Sequence, residues 1–270
     1  MAEAEYEGQK AISAVIPDNA VRPIAWGYLS FSSDSGYNSD IFEETYPPSR
    51  DSPISVVPGQ RRTWYLAPFL NLNQNKTPNP SDLIPVLKKL HRDPKSVSPN
   101  GMFGFHVDGL FLGPAPMVCN SANWTASWEE FYLREFGASL DYAQQHLPTG
   151  HDAELAALGE EFMAKVIPRL LRPLQTGGRS IKPVLCHGDL WDGNVQVRED
   201  TGDAVLFDPC PYYGHGEMDL QCMRNRRYQL ARPDETTTDR GETLVQMYER
   251  EVGASEPKGD FDDRNAMYAV

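Results

Sequence analysis

The stretch from residue 183 to 208 constrains the fold most. It runs Pro183-Val184-Leu185-Cys186, then His187-Gly188-Asp189-Leu190-Trp191-Asp192-Gly193-Asn194, then Val195-Gln196-Val197. A turn at Glu199-Asp200-Thr201-Gly202-Asp203 leads into Ala204-Val205-Leu206-Phe207, which ends at Asp208. Two short apolar runs around an Asp/Gly turn predict a hairpin, here preceded by a strand and a polar loop. Such a hairpin returns Asp208 to the side of the loop and gathers Asp189, Asn194 and Asp208. One carboxylate is then a candidate base, and the other two groups are oxygen ligands for a hard cation. The plain alternative is an ordinary Asp/Asn/Gly turn, since these residues crowd loops in any case.

The grouping suits phosphoryl transfer. A nucleophilic hydroxyl needs a carboxylate to orient it and accept its proton, and a triphosphate needs Mg²⁺. Protein kinases assign these tasks to H-R-D-x-x-x-x-N and D-F-G. The present pattern is H-G-D-x-x-x-x-N followed by Phe207-Asp208-Pro209, with the same Asp-to-Asn spacing.

The chain has 270 residues and a formal net charge of −13. That length supports a sizeable core. The acidic balance argues against nucleic-acid partners and against docking on an anionic membrane. The 4 cysteines, Cys119, Cys186, Cys210 and Cys222, form no C-x-x-C pair, which leaves no zinc or redox-dithiol reading. The N-terminus has neither the basic nor the apolar segment of a secretory signal, and no run reaches the length of a membrane span. A reduced, cytoplasmic protein is expected.

Ala2 to Val15 reads as a helix, and Val21 to Leu29 as extended. Residues 30–60 turn to Ser, Asp, Pro, Gly and Tyr without periodicity, which predicts a loop insertion. Arg62 to Leu70 is a β-rich run. Leucine spacing from Leu83 to Leu90 predicts a helix, with His91 as a packing residue. Ser127 caps a helix carrying Phe131, Tyr132, Leu133 and Phe136. A further helix is expected over His151 to Leu174, with Leu155, Leu158, Phe162, Val166 and Leu170 inward, closed by Gly177-Gly178. Glu217 and Asp219 open another, and Glu242 to Arg250 is helical.

Several of these stretches together resemble the fructosamine/ketosamine kinases, relatives of the aminoglycoside and choline phosphotransferases. His187-Gly188-Asp189-Leu190-Trp191-x-Gly193-Asn194 is similar to the family's catalytic loop. Asp208-Pro209 with Tyr213-Gly214-His215-x-Glu217 is similar to its metal-binding segment. Phe103-Gly104-Phe105-His106, Trp124, Ser127-Trp128-x-x-Phe131, Leu87-x-x-Leu90-His91 and Phe261-Asp262-x-Arg264 also fit. The resemblance implies an α+β, protein-kinase-like fold. Residues 1–70 would form a partial N-lobe with the insertion at 30–60, and residues 71–270 a mainly helical C-lobe carrying the catalytic hairpin.

It further implies ATP- and Mg²⁺-dependent phosphorylation of the 3-hydroxyl of ribulosamine- or fructosamine-type adducts, free or on protein lysines, a step linked to deglycation. Carried over by position, Asp189 is the catalytic base, and Asn194 and Asp208 hold Mg²⁺. Ala67, Pro68 and Phe69 form the hinge beside adenine. Glu5 matches the ion-pair glutamate of the nucleotide site. Trp191, His215 and Glu217 lie near the sugar, with His215 and Glu217 equally readable as fixing the turn and the helix after it. Nothing upstream of Glu5 supplies a partner lysine, and Lys10 lies on the same helix. The expectation is a family core cut at both ends. An inactive, binding-only remnant and a related aminoglycoside- or choline-type kinase are the alternatives, and a metal hydrolase using His187, Asp189, Asp208 and His215 is a more distant one.

Overall fold

The computed structural model describes residues 2–29, 62–73, 75–108, 111–112, 115–118, 123–232 and 241–270; the insertion expected at 30–60 lies outside them. In chain order the regular elements are α1 (Ala2–Val15), β1 (Ala25–Leu29), β2 (Arg62–Leu66), β3 (Leu72–Asn73), α2 (Pro80–Arg92), β4 (Phe111–Leu112) and β5 (Ala115–Pro116). Then come α3 (Trp128–His146), α4 (Ala153–Glu161), α5 (Ile167–Leu171), β6 (Val184–Cys186), β7 (Val195–Arg198), β8 (Ala204–Leu206), β9 (Tyr212–Gly214), α6 (Leu244–Tyr248) and α7 (Phe261–Tyr268). A run of 3₁₀ helix, Gly216–Arg224, follows β9. The mix is α+β, with small antiparallel sheets set among helices.

Pairing between the strands is antiparallel. β1 pairs β2, with Gly27 opposite Trp64. β7 and β8 form the expected hairpin, Val195 opposite Leu206, and β3 adds to its outer edge. β6 pairs β9, Cys186 opposite Tyr212 and Val184 opposite Gly214. Backbone and side-chain bonds lock α1 and its exit onto β8: Leu206 N–H donates to Asn19 O at 2.8 Å, and Asn19 Nδ2 donates to Ala204 O at 2.9 Å. The largest core cluster gathers Ile12, Ile16, Leu83, Leu87, Leu90, Trp128, Phe131, Leu171, Leu185, Leu206, Leu220 and Tyr248. Burying a stripe of this kind is what holds short helices in place.

Capping follows the sequence. Ser127 Oγ accepts from Glu130 N, and Thr243 with Gln246 forms a reciprocal capping box. The helix expected across His151 to Leu174 is broken into α4, a π-turn over Phe162–Val166, α5 and a 3₁₀ turn. Leu158, expected inward, is 57% exposed. The buried face runs through Gly159 instead, where a Cβ would stand 2.3 Å from Leu140 Cδ2. Among the described residues no helix is long and apolar enough to cross a membrane.

Candidate active site

The loop after β6 is held by its backbone. Gly188 has φ +81, and a Cβ there would stand 1.8 Å from Cys210 O, so only glycine fits this crossing. Asp219, fully buried, accepts from His187 N–H at 2.7 Å and Gly188 N–H at 2.8 Å. Its Oδ2 also lies 2.9 Å from His91 Nε2, while His91 Nδ1 lies 2.8 Å from the Tyr248 hydroxyl. Burial alone would raise the Asp219 carboxyl. The His91 hydrogen bond, the neighbouring histidines and the Gly188 amide outweigh it and hold the group below the usual carboxylate range. His187 is buried and pushed down by that burial, hence neutral. Its Nδ1 accepts from Asp189 N–H at 3.4 Å, which leaves Nε2–H to donate to Phe207 O at 3.1 Å.

This frame presents Asp189, half-buried. Asn194 Nδ2 donates to Asp189 O and to Asp189 Oδ2, each at 2.9 Å, and reaches Asp208 O at 3.3 Å. Desolvation raises the Asp189 carboxyl, and the negative charge of Asp208 adds to it. The nearby His187 ring, the hydrogen bond from Asn194 and the Trp191 side chain work the other way without cancelling the rise. Asp208 sits at φ 53, a left-handed conformation uncommon for a residue with a Cβ. With its Nδ2 committed to Asp189, Asn194 turns its Oδ1 away, and no described residue donates to that oxygen.

Asp208 also lines a cavity of about 250 Å³ with Glu5, Gln9, Val21, Tyr65, Pro68, Phe69, Leu70, Leu72 and Phe207. Pro68 and Phe69 reach it because β3 pairs onto the hairpin and draws the preceding segment across Phe207. Ala67 precedes them but does not line it. Glu5 arrives on α1, which presses so closely on the segment after Asp208 that a Cβ at Gly8 would stand 2.5 Å from the Pro211 ring. Burial, then the charge of Asp208, raises the Glu5 carboxyl. No ion pair to Glu5 occurs among the described residues, and Lys10 is taken by Glu7 at 3.1 Å.

The expected sugar-side residues divide. Trp191 stands on the loop, 38% exposed, with its indole covering Gly193, where a Cβ would come within 2.4 Å of the ring. His215 and Glu217 lie beyond the other end of β9, past a strand about 10 Å long, and are not brought together with Asp189. His215 Nδ1 meets the Tyr268 hydroxyl at 2.9 Å, and Nε2 meets Ser255 Oγ at 2.8 Å. Glu217 takes a two-pronged bond from the buried Arg264 guanidinium, at 2.8 and 3.1 Å, and the Ser255 N–H at 2.7 Å. Both border a separate cavity of about 890 Å³, also lined by His91, Arg92, Arg179 and Lys182.

With this geometry in hand, the comparison with known families is decisive: the model described as fructosamine kinase matches residues 3–232. The chain belongs to the fructosamine kinase family. Family members among curated proteins include a chloroplastic protein-ribulosamine 3-kinase of Oryza sativa subsp. indica, 32% identical over 135 residues, which are 50% of this chain and 34% of that protein. A ketosamine-3-kinase of Mus musculus is 37% identical over 119 residues, 44% of this chain and 34% of that protein. The matches thus span about a third of these relatives. Two solved structures of candidate fructosamine-3-kinases share the family's kinase-like fold. One, from Haemophilus somnus 129PT, has a TM-score of 0.61 at 17% identity and covers 99% of this chain and 69% of that one. The other, from Thermobifida fusca, has a TM-score of 0.55 at 17% identity, covering 98% and 69%.

Asp219 anchors the loop, a role its sequence position at the start of a helix does not reveal, while His91, a packing residue by its leucine stripe, is buried with both nitrogens hydrogen-bonded. The available signal was an aspartate flanked by Met218 and Leu220, both buried; a carboxylate inside an apolar run has to be paired. His91, Cys186 and Asp219 come within 4.8 Å of one another. The hydrogen bonds on both His91 nitrogens account for that cluster without an ion.

Proposed function

We propose that this chain transfers a phosphoryl group from ATP to the 3-hydroxyl of a ketosamine, free or attached to a protein lysine, and so contributes to deglycation. The observation that carries this is the Asp189–Asn194–Asp208 group at the edge of the cavity lined by Glu5, Pro68 and Phe69. Asp189 orients the hydroxyl and takes its proton, and its raised pKa makes it a better proton acceptor than an ordinary carboxylate. Asn194 Oδ1 and the Asp208 carboxylate are the hard oxygen donors that Mg²⁺ prefers, so they fit that ion. When bound, the ion neutralises charge on the triphosphate. Ala67, Pro68 and Phe69 would border the adenine, with Glu5 near the phosphates. Trp191 would support the sugar, and His215 and Glu217 would fix the scaffold. Residues 1–70 and 71–270 would act as the two lobes. A reduced, cytoplasmic setting is in keeping with Cys186, Cys210 and Cys222, which form no disulfide among the described residues.

A binding-only protein is the second reading. It is favoured by Glu5 and Asp208 facing one cavity with no cation paired to Glu5 among the described residues. A coupled assay with Mg-ATP and a ribulosamine-lysine substrate separates the two. Turnover that falls by about 10³-fold or more in Asp189→Asn, with the fold retained, is the expected result. Binding of substrate without turnover in the native chain favours the second reading. Preference for an aminoglycoside or choline would reject the ketosamine assignment.

A further inference from the structure

Arg224 ends the 3₁₀ run that holds Asp219; Asn225, Arg226, Arg227 and Tyr228 follow it, and the five residues carry three cations in a chain of net charge −13. The turn is fastened to the catalytic loop. Asp192 accepts from Gln229 N–H at 2.5 Å and Leu230 N–H at 3.0 Å, and Gln221 Nε2 donates to Gly188 O at 3.0 Å. The fastening sets Tyr228 against Trp191, ring centroids 5.9 Å apart and tilted by 60°. Arg227 lies over the outer Tyr228 ring, its guanidinium carbon 4.6 Å from the centroid, and it donates to the Tyr228 hydroxyl. Trp191 stands two residues after Asp189 on the same loop. A continuous wall therefore runs from the base, over an indole and a phenol ring, to an exposed guanidinium.

The charges around the wall leave Arg227 free to act. Arg224 is paired with Asp262, and Asp192 is spent on the two backbone amides. Burial raises the Cys222 thiol to about 11, with Asp189 and Asp192 pushing it up and Arg227 pulling it down. Cys222 thus lies within electrostatic reach of both the base and the guanidinium. A sugar stacked on Trp191 with its hydroxyl at Asp189 would extend its amine substituent along Tyr228 toward Arg227. A guanidinium held over a ring keeps N–H donors that match a carboxylate.

We propose that Arg227, held on Tyr228 beside Trp191, recognises a carboxylate carried on the amine side of the acceptor. The idea rests on the ketosamine-kinase reading and names the preferred substrate class within it. The carboxylate can belong to a free glycated amino acid or to an acidic side chain beside a glycated lysine.

Calorimetry with two matched pairs tests this: N-ribulosyl-glycine against its carboxamide, and a ribulosyl-lysine peptide with a neighbouring Glu against the same peptide with Gln. The native chain should bind at least one acid about fivefold more tightly than its neutral partner, the size of a well-placed exposed ion pair. Arg227→Gln should erase that preference and Arg226→Gln should keep it. A preference in the glycine pair alone identifies the amino-acid carboxylate, and one in the peptide pair alone identifies the acidic side chain. No preference in either pair overturns the proposal, as does its equal loss in Arg226→Gln. Phosphorylation of the neutral partners reports separately on the parent reading, so kinase activity without an acid preference sinks this inference alone. Absence of any binding overturns both.

Discussion

At Asp208 the chain holds a carboxylate in a left-handed backbone conformation, beside two other acids. Its charge raises both Glu5 and Asp189, after burial has done so. Such a residue is kept for what it binds, since strain and like-charge repulsion both oppose it. Asp208→Asn should therefore raise stability by about 1 kcal/mol without metal while removing phosphoryl transfer; paired urea titrations and turnover assays read the two effects. If Asp189 is the proposed base it works only when ionised, and with its carboxyl raised the acid limb of the pH–rate profile should lie above the range of an ordinary carboxylate. Gly188 is the opposite case, a position where conformation rather than chemistry dictates the residue. Gly188→Ala forces a Cβ into Cys210 O at a positive φ. It should cost roughly 3 kcal/mol or more, seen as a lowered urea midpoint.

Among elements, the hairpin was legible because its alternation and its turn residues agree; β7 buries Val195 and Val197 and leaves Gln196 and Arg198 partly exposed. The rest of the site was less legible, for identifiable reasons. Asp219 acts on backbone amides that lie 31 and 32 positions away, and no local pattern encodes such a partner. The Leu158 stripe failed because a close approach at Gly159 and a π-turn redirect the buried face. His215 and Glu217 stand out in sequence beside Asp208-Pro209, yet a single short strand separates them from it. The 3₁₀ run and α7 are joined by the buried pair of Glu217 and Arg264. Arg264→Leu leaves that carboxylate buried and uncompensated and should cost about 3–5 kcal/mol. Thermal melting should show it; an unchanged midpoint would mean that α7 does not depend on the pair.

Over the whole molecule, the burial of His215 makes stability depend on pH. Burial depresses the His215 pKa from 6.5 to about 4. Its contribution is fully present above the unfolded value of 6.5. It is lost as pH falls toward 4, because the unfolded chain takes the proton first. The difference amounts to roughly 3 kcal/mol. A His215→Gln variant should flatten this part of the stability–pH curve. The molecule thus separates two tasks along β6 and β9. One end fixes the scaffold through His215, Glu217, Arg264 and Tyr268, and the other gathers Asp189, Asn194 and Asp208, the last of which lines the cavity beside Glu5. The central claim is that this second end phosphorylates a sugar hydroxyl. It is tested most directly by incubating the chain with Mg-ATP and a ribulosamine and locating any new phosphate on the product by ³¹P–¹H NMR. A phosphoester at the 3-position, absent with Asp189→Asn, is the predicted result. Phosphorylation that persists in Asp189→Asn, or none at all while the native fold is intact, would contradict it.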